Sequence, residues 1–179
     1  MVPEAKDYAF STQCVTAYDP AHVDQYGASS TRVYWRASFQ VRPGAEFDYT
    51  RVWFACLSVL DKQRGKLEGS KYAYAVSCGM ACLDVIMRLV RPGECVIAGD
   101  DLYGGSNRLL ELLKKQMHIE VDNIDTTDLV AVEQALQQRA KAHAAGAGAR
   151  VALVLLESPP NRMIKIADLA GCTRLVRKY

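Results

Sequence analysis

Three short segments carry the residue types that could do chemistry in this chain. The first is Ser77-Cys78-Gly79-Met80, which leads directly into an apolar stretch. Unpaired backbone N–H groups at a helix start attract anions and a glycine admits one closely, so Gly79 and Met80 can hold a phosphate through their amides. The same residues also suit an ordinary serine-capped turn. The second segment is Gly99-Asp100-Asp101-Leu102-Tyr103-Gly104-Gly105, where glycines leave Tyr103 free to lay its ring on a flat heteroaromatic ligand. A turn with a half-buried tyrosine would use the same residues. The third, Glu157-Ser158-Pro159-Pro160-Asn161, sets an acid, prolines and an amide after an apolar run, giving either a rigid polar wall or a plain turn.

A phosphate-suited helix start, a stacking ring and a fixed amide together suit a planar phosphorylated cofactor. Pyridoxal phosphate (PLP) meets that description. A nucleotide would too, although neither GxGxxG nor GxxxxGK[ST] occurs in the chain.

These segments do chemistry only if secondary structure brings them to one edge. Lys71 to Val76 alternates weakly and reads as a first strand, and Met80 to Val90 as a buried helix stopped by Pro92-Gly93. Cys95 to Ala98 and Ile119 to Val121 read as short strands, with a helical stripe of Leu109, Leu110, Leu113 and Met117 between them. Thr126 or Thr127 is expected to cap a helix whose Leu129, Val132 and Leu136 face inward. After the small-residue turn Ala144 to Ala149, Val151 to Leu156 is the strongest strand signal, and a last helix is expected from Ile166 through Tyr179. Earlier in the chain, Trp53, Leu57, Leu60 and Leu67 predict a helix stopped at Gly69. Strands alternating with helices imply βαβ units, a mainly parallel sheet with helices on both faces, and ligands at the carboxyl ends of the strands. All three chemical segments lie at such ends.

Composition narrows the functional classes. The chain has 179 residues, half of them apolar, and a net charge of +2 from 22 basic and 20 acidic residues, which is ordinary globular make-up. No basic block or aromatic-basic motif points to nucleic acid, and the longest uncharged apolar run, Val151 to Leu156, is far too short to span a membrane. The start of the chain is polar, with Glu4 where a secretory signal would place its apolar stretch, so a cytoplasmic protein is expected. The six cysteines form no CxxC pair and have no histidine cluster beside them, which favours small core hydrophobes over a zinc site.

The ordered series of motifs is distinctive. Lys66 to Ala73, Ser77 to Ala81, Arg91-Pro92-Gly93, Val96 to Gly105 and Glu157-Ser158-Pro159 together resemble the Cys/Met-metabolism family of PLP-dependent enzymes. Within that family, Asp100 to Arg108 is most similar to the eukaryotic cystathionine β-lyase branch. The resemblance runs from about Tyr49 to Tyr179 and implies part of an aminotransferase-like (fold type I) large domain. It gives an α/β domain over 49–179 preceded by an N-terminal arm over 1–48.

By that resemblance, Gly79 and Met80 bind the cofactor phosphate, Tyr103 stacks on the reacting ring as the catalytic contact, and Asn161 lies near the ring hydroxyl. Tyr49 and Arg51 match the family's Tyr-x-Arg element, which reaches the phosphate of a neighbouring subunit and implies a homo-oligomer. The family reaction is β-elimination of cystathionine to homocysteine, pyruvate and ammonia. The family's cofactor-binding lysine and ring aspartate belong to segments that follow Tyr179, and Lys165 lacks the lysine's motif. Val52-Trp53-Phe54-Ala55-Cys56 stands where the family has Ser-Gly-Asn-Pro-Thr, and Arg162 where it has proline.

A helix-end contact of up to ~2 kcal/mol, stacking of ~0.5–1.5 and an Arg–phosphate hydrogen bond of ~1.5–3 give a dissociation constant between roughly millimolar and tens of micromolar. Weak, non-covalent PLP binding and an inactive isolated chain are therefore expected. The alternatives are a non-catalytic paralogue that associates with a full-length lyase, or cystathionine γ-lyase or γ-synthase ancestry.

Overall fold

The computed structural model describes residues 9–15, 33, 35, 38, 55–160 and 162–179. The chain divides into two compact units, Met1–Val76 and Ser77–Tyr179. In the first, α1 spans Phe10–Val15 and α2 spans Ala55–Leu67. The α2 helix stops near the predicted place because Gly69 adopts φ +61°, a left-handed conformation that glycine takes without steric cost. Its expected apolar stripe is not a core face, since Leu60 is exposed while Ser58 and Gly65 are buried.

The stretch from Lys71 to Val76 is not a strand, which corrects the sequence expectation. The Ala75 N–H donates to Asp61 Oδ1 at 2.7 Å, and Tyr72, Tyr74 and Val76 are all exposed. Alternation sets where side chains point. A strand also needs a neighbour for its backbone, and here a carboxylate takes the Ala75 bond.

The second unit runs α3 (Gly79–Met87), β1 (Cys95–Gly99), α4 (Gly104–Met117), β2 (Glu120–Ile124), α5 (Leu129–Ala144), β3 (Val151–Leu155) and α6 (Leu169–Val176). Its three strands are parallel in the order β2-β1-β3, so the sheet has one strand fewer among the described residues than the sequence predicts. Val96 pairs with Val121 on one side and Leu153 on the other.

The strand period of two explains how both faces are covered. Val96 and Ala98 of β1 join Met87, Val90, Leu110, Leu113 and Ile119 on one side. Cys95 and Ile97 join Val132, Leu136, Ala149 and Cys172 on the other. All five β1 residues are buried, as expected for the middle strand of a parallel sheet. Full burial of a side chain such as Ile97 contributes ~1.5–3 kcal/mol. Arg139 of α5 adds a polar clamp, donating to Asp122 Oδ2 at 2.6 Å and pairing with Glu120.

Several boundaries move for identifiable reasons. The α5 cap is Asp128, whose Oδ1 accepts the Val130 N–H at 2.8 Å, while Thr127 turns its hydroxyl to Asp125 and Thr126 is buried. Likewise α6 starts after Asp168, which accepts the Gly171 N–H at 2.8 Å, so Ile166 lies outside the helix, and α6 ends before Tyr179. In α3 only Met87 is buried, so that helix is half-exposed rather than enclosed. Of the cysteines only Cys95 and Cys172 are core residues; Cys14, Cys78 and Cys82 are exposed, and all six are free thiols. Among the described residues no helix is long and apolar enough to cross a membrane, and no acidic, histidine or cysteine cluster could hold a metal ion.

Candidate functional site

The site is built where α3 and α4 begin and where the strands end. Gly79 opens α3 after Cys78, an extended N-cap at φ −164° that makes no side-chain capping bond. The serine-capped turn is therefore not what forms: neither capping side chain nor acidic residue covers the first turn. A Cβ at Gly79 would meet nothing within 4 Å, so space is open above the glycine. Exposed N–H groups with open space in front of them are what an incoming phosphate needs.

Tyr103 is the N-cap residue of α4 and is 47% exposed. The two helix starts converge at Gly105. A Cβ there would lie 2.5 Å from Tyr103 Cε1 and 2.9 Å from Met80 Sδ, so the ring and the sulfur fill the space that only a glycine leaves. Met80 and Tyr103, predicted from separate loops, thus form one corner. The residues present fit a phosphorylated planar cofactor: uncapped amides at α3, and beside them a ring with much of its surface open.

Glu157, just past β3, secures this corner. One carboxylate oxygen accepts the Tyr103 N–H at 2.8 Å, and the other accepts the Ser106 hydroxyl. The sequence reading took Glu157 only as part of a polar wall.

A second corner is ionic. Lys165 Nζ donates to Asp100 Oδ2 at 3.0 Å, to Asp100 Oδ1 at 3.2 Å and to Asp125 Oδ2 at 3.2 Å. Asp100 follows β1 and Asp125 follows β2, so one ammonium group ties the ends of two strands to the segment after β3. Hydrogen bonding to Asp100, then to Asp125, raises the Lys165 pKa and keeps it a cation. The Asp125 carboxyl is held below its ordinary value by the Thr127 hydroxyl, then the Thr127 N–H, then Lys165. Lys165 is therefore unsuited to act as an amine nucleophile, which needs the neutral form. Nearby, Met163 N–H donates to Asp101 Oδ2 at 2.7 Å and Ala167 N–H to Ser158 Oγ at 3.1 Å, so backbone bonds fasten the same segment. The cavity between Asp100, Thr126, Glu157 and Lys165 is about 10 Å³, room for roughly one water and too small for an aromatic ring.

Of the predicted site residues, Gly79, Met80 and Tyr103 come together, while Tyr49, Arg51 and Asn161 lie outside the described residues. Sequence reasoning missed the anchoring roles of Glu157, Asp100, Asp125 and Lys165. The usable signal was an acid just after each strand: Asp100 after Gly99, Asp125 after Ile124 and Glu157 after Leu156.

Comparison with known proteins agrees with this architecture. The family model for Cys/Met metabolism PLP-dependent enzyme matches residues 11–179. The chain is 38% identical over 174 residues to a cystathionine beta-lyase of Neurospora crassa, covering 96% of this chain and 35% of that protein. Against a cystathionine beta-lyase of Schizosaccharomyces pombe it is 37% identical over 179 residues, 98% of this chain and 43% of the other. The crystal structure of cystathionine gamma synthase from Xanthomonas oryzae pv. oryzae in complex with cystathionine superposes with a TM-score of 0.80 at 26% identity, over 96% of this chain and 42% of that one. The chain thus spans well under half the length of these relatives. The match over nearly the whole chain, together with the parallel sheet and the two converging helix starts, makes this chain a member of the Cys/Met-metabolism family of PLP-dependent enzymes.

Proposed function

We propose that this chain supplies the phosphate-binding and ring-stacking part of a cystathionine β-lyase-type site. When bound, PLP provides the electron sink that makes β-elimination of cystathionine to homocysteine, pyruvate and ammonia possible. The amides of Gly79 and Met80 hold the phosphate, and Tyr103 orients the ring by stacking. Asn161 beside the ring hydroxyl, with Tyr49 and Arg51 reaching the phosphate in a homo-oligomer, completes this assignment. The observation that carries the reading is the meeting of the Tyr103 ring and the Met80 sulfur over Gly105.

Because Lys165 is engaged by two carboxylates, we expect the 179-residue chain by itself to bind PLP weakly and reversibly and to release no pyruvate from cystathionine. Equilibrium dialysis with PLP and a pyruvate assay test the two statements. No saturable binding, or none weakened by Tyr103→Ala, would remove the cofactor assignment; steady turnover would remove the claim of inactivity. Should turnover occur, α-ketobutyrate in place of pyruvate from cystathionine would mark γ-elimination.

A second reading, a non-catalytic partner of a longer homologue in the cytoplasm, is favoured by β3. Its residues Val151–Leu155 are apolar and only half-buried, and a groove of about 350 Å³ runs between Val151, Leu153 and the α6 residues Cys172 and Val176. Co-purification with a full-length lyase would support that reading.

A further inference from the structure

We infer that Glu157 is a positioning residue for the Tyr103 ring, acting from the end of β3 on the start of α4. The inference rests on the proposed stacking role of Tyr103, yet its structural claim can be read without any cofactor. Tyr103 makes no side-chain capping bond at the start of α4. What fixes its backbone is the Glu157 carboxylate, which takes the Tyr103 N–H at 2.8 Å and the Ser106 hydroxyl three residues on. These two bonds define one turn of α4 at both ends, with Gly105 between them. They hold that turn so that the ring and Met80 Sδ crowd the point where a Gly105 Cβ would sit.

Both oxygens of one carboxylate are thereby used on a single helical turn, with the Ser106 end buried at 2% exposure and the Tyr103 end open to solvent. Glu157 also lines the small cavity with Asp100 and Lys165. It therefore connects the rigid sheet edge to the ring and makes no claim on the ligand itself. Glutamine in its place keeps an acceptor for the Tyr103 N–H and gains an amide that can donate to the Ser106 oxygen, so the conservative variant should preserve the geometry.

The full chain with methyl-labelled methionine provides the test. Tyr103→Leu identifies the ring-current displacement of the Met80 methyl resonance. Glu157→Ala is expected to abolish that displacement, Glu157→Gln to retain it, and the Met87 methyl, buried in the core, to stay in place in all variants. A Met80 resonance unmoved by Glu157→Ala, or moved only together with Met87, would overturn the inference.

PLP titration adds the functional arm. Glu157→Ala should weaken binding by roughly two- to tenfold, the worth of a stacking contact, and should cost nothing further in the Tyr103→Leu background. An equal loss in both backgrounds would also overturn the inference. If the unmutated chain binds no PLP, the proposed function fails and the methyl measurement alone decides the role of Glu157.

Discussion

The two corners at the carboxyl ends of the strands are built on opposite plans, although Glu157 borders both. The Lys165 corner is closed: a cation between two carboxylates uses charge on charge and leaves a cavity of about 10 Å³. The Tyr103 corner is open: a half-exposed ring, a thioether and bare helix amides leave their binding capacity unspent. A group already satisfied by the protein has little to offer a ligand. Charge density is therefore a poor guide to the site in this chain. The ionic corner fixes the segment after β3, and the apolar, glycine-lined corner is where a ligand finds unused surface.

The sharpest way to break this contrast is a pair of adjacent glycines. Gly105→Ala should drive the new methyl into Tyr103 and Met80, costing about 1–3 kcal/mol as overpacking and removing PLP binding. Gly104→Ala meets nothing within 4 Å and should be neutral or stabilising by ~0.5–1 kcal/mol through helix propensity. Urea unfolding of the two variants measures the difference. Equal stabilities would mean that the Tyr103 ring and Met80 yield to the new methyl without cost, and the packed corner would not exist. A smaller and more local effect is expected at the closed corner. Lys165→Met should leave Asp100 and Asp125 facing each other uncompensated and speed amide exchange at Met163 and Ala167, with the Met80 methyl unchanged. Exchange spreading to the β1 amides would show that the ionic corner supports the sheet as well as the loop.

How far the sequence disclosed this arrangement depended on whether a feature is set locally or by neighbours. The unbroken apolar run of β1 and the stripe through Leu110 and Leu113 are local patterns, and both place core residues correctly. Lys71 to Val76 shows a similar alternation and forms no strand, because pairing belongs to the partner and not to the segment. Val151 to Leu156 is the strongest strand signal in the sequence, yet β3 is only half-buried while β1 is fully buried; apolar content cannot tell a middle strand from one with an open side. In the site, glycine next to tyrosine and glycine at a helix start were legible as chemistry. The distance between them was not, since Gly105 brings Met80 and Tyr103 together only after both helices dock. Capping choices were also decided by competition: Asp128 took the α5 cap from Thr126 and Thr127 because a carboxylate is the stronger acceptor and Thr127 was already bonded to Asp125.

The mildest perturbation that separates the corners is pH. Asp125 has a folded-state pKa below its ordinary 3.8, so the unfolded chain binds more protons near that value and the contribution of Asp125 to stability is lost as pH falls through the lowered pKa. Lys165 has the opposite sign: its pKa lies above the ordinary 10.5, so its contribution is present below that pH and lost as pH rises through the raised value. The closed corner should therefore hold between those limits and loosen beyond either one. The open corner relies on apolar contact and on backbone bonds to Glu157. The Thr127 amide, which donates to Asp125 Oδ1 at 3.0 Å, followed by NMR from pH 7 downward should shift only at the acid end, as Asp125 takes up its proton below its ordinary value. The Met80 methyl has no contact with Asp125 and should not follow the titration of that amide. A Met80 methyl that moved in step with the Thr127 amide throughout would mean that the two corners form one titrating network, and the division between a closed ionic anchor and an open binding surface would fall.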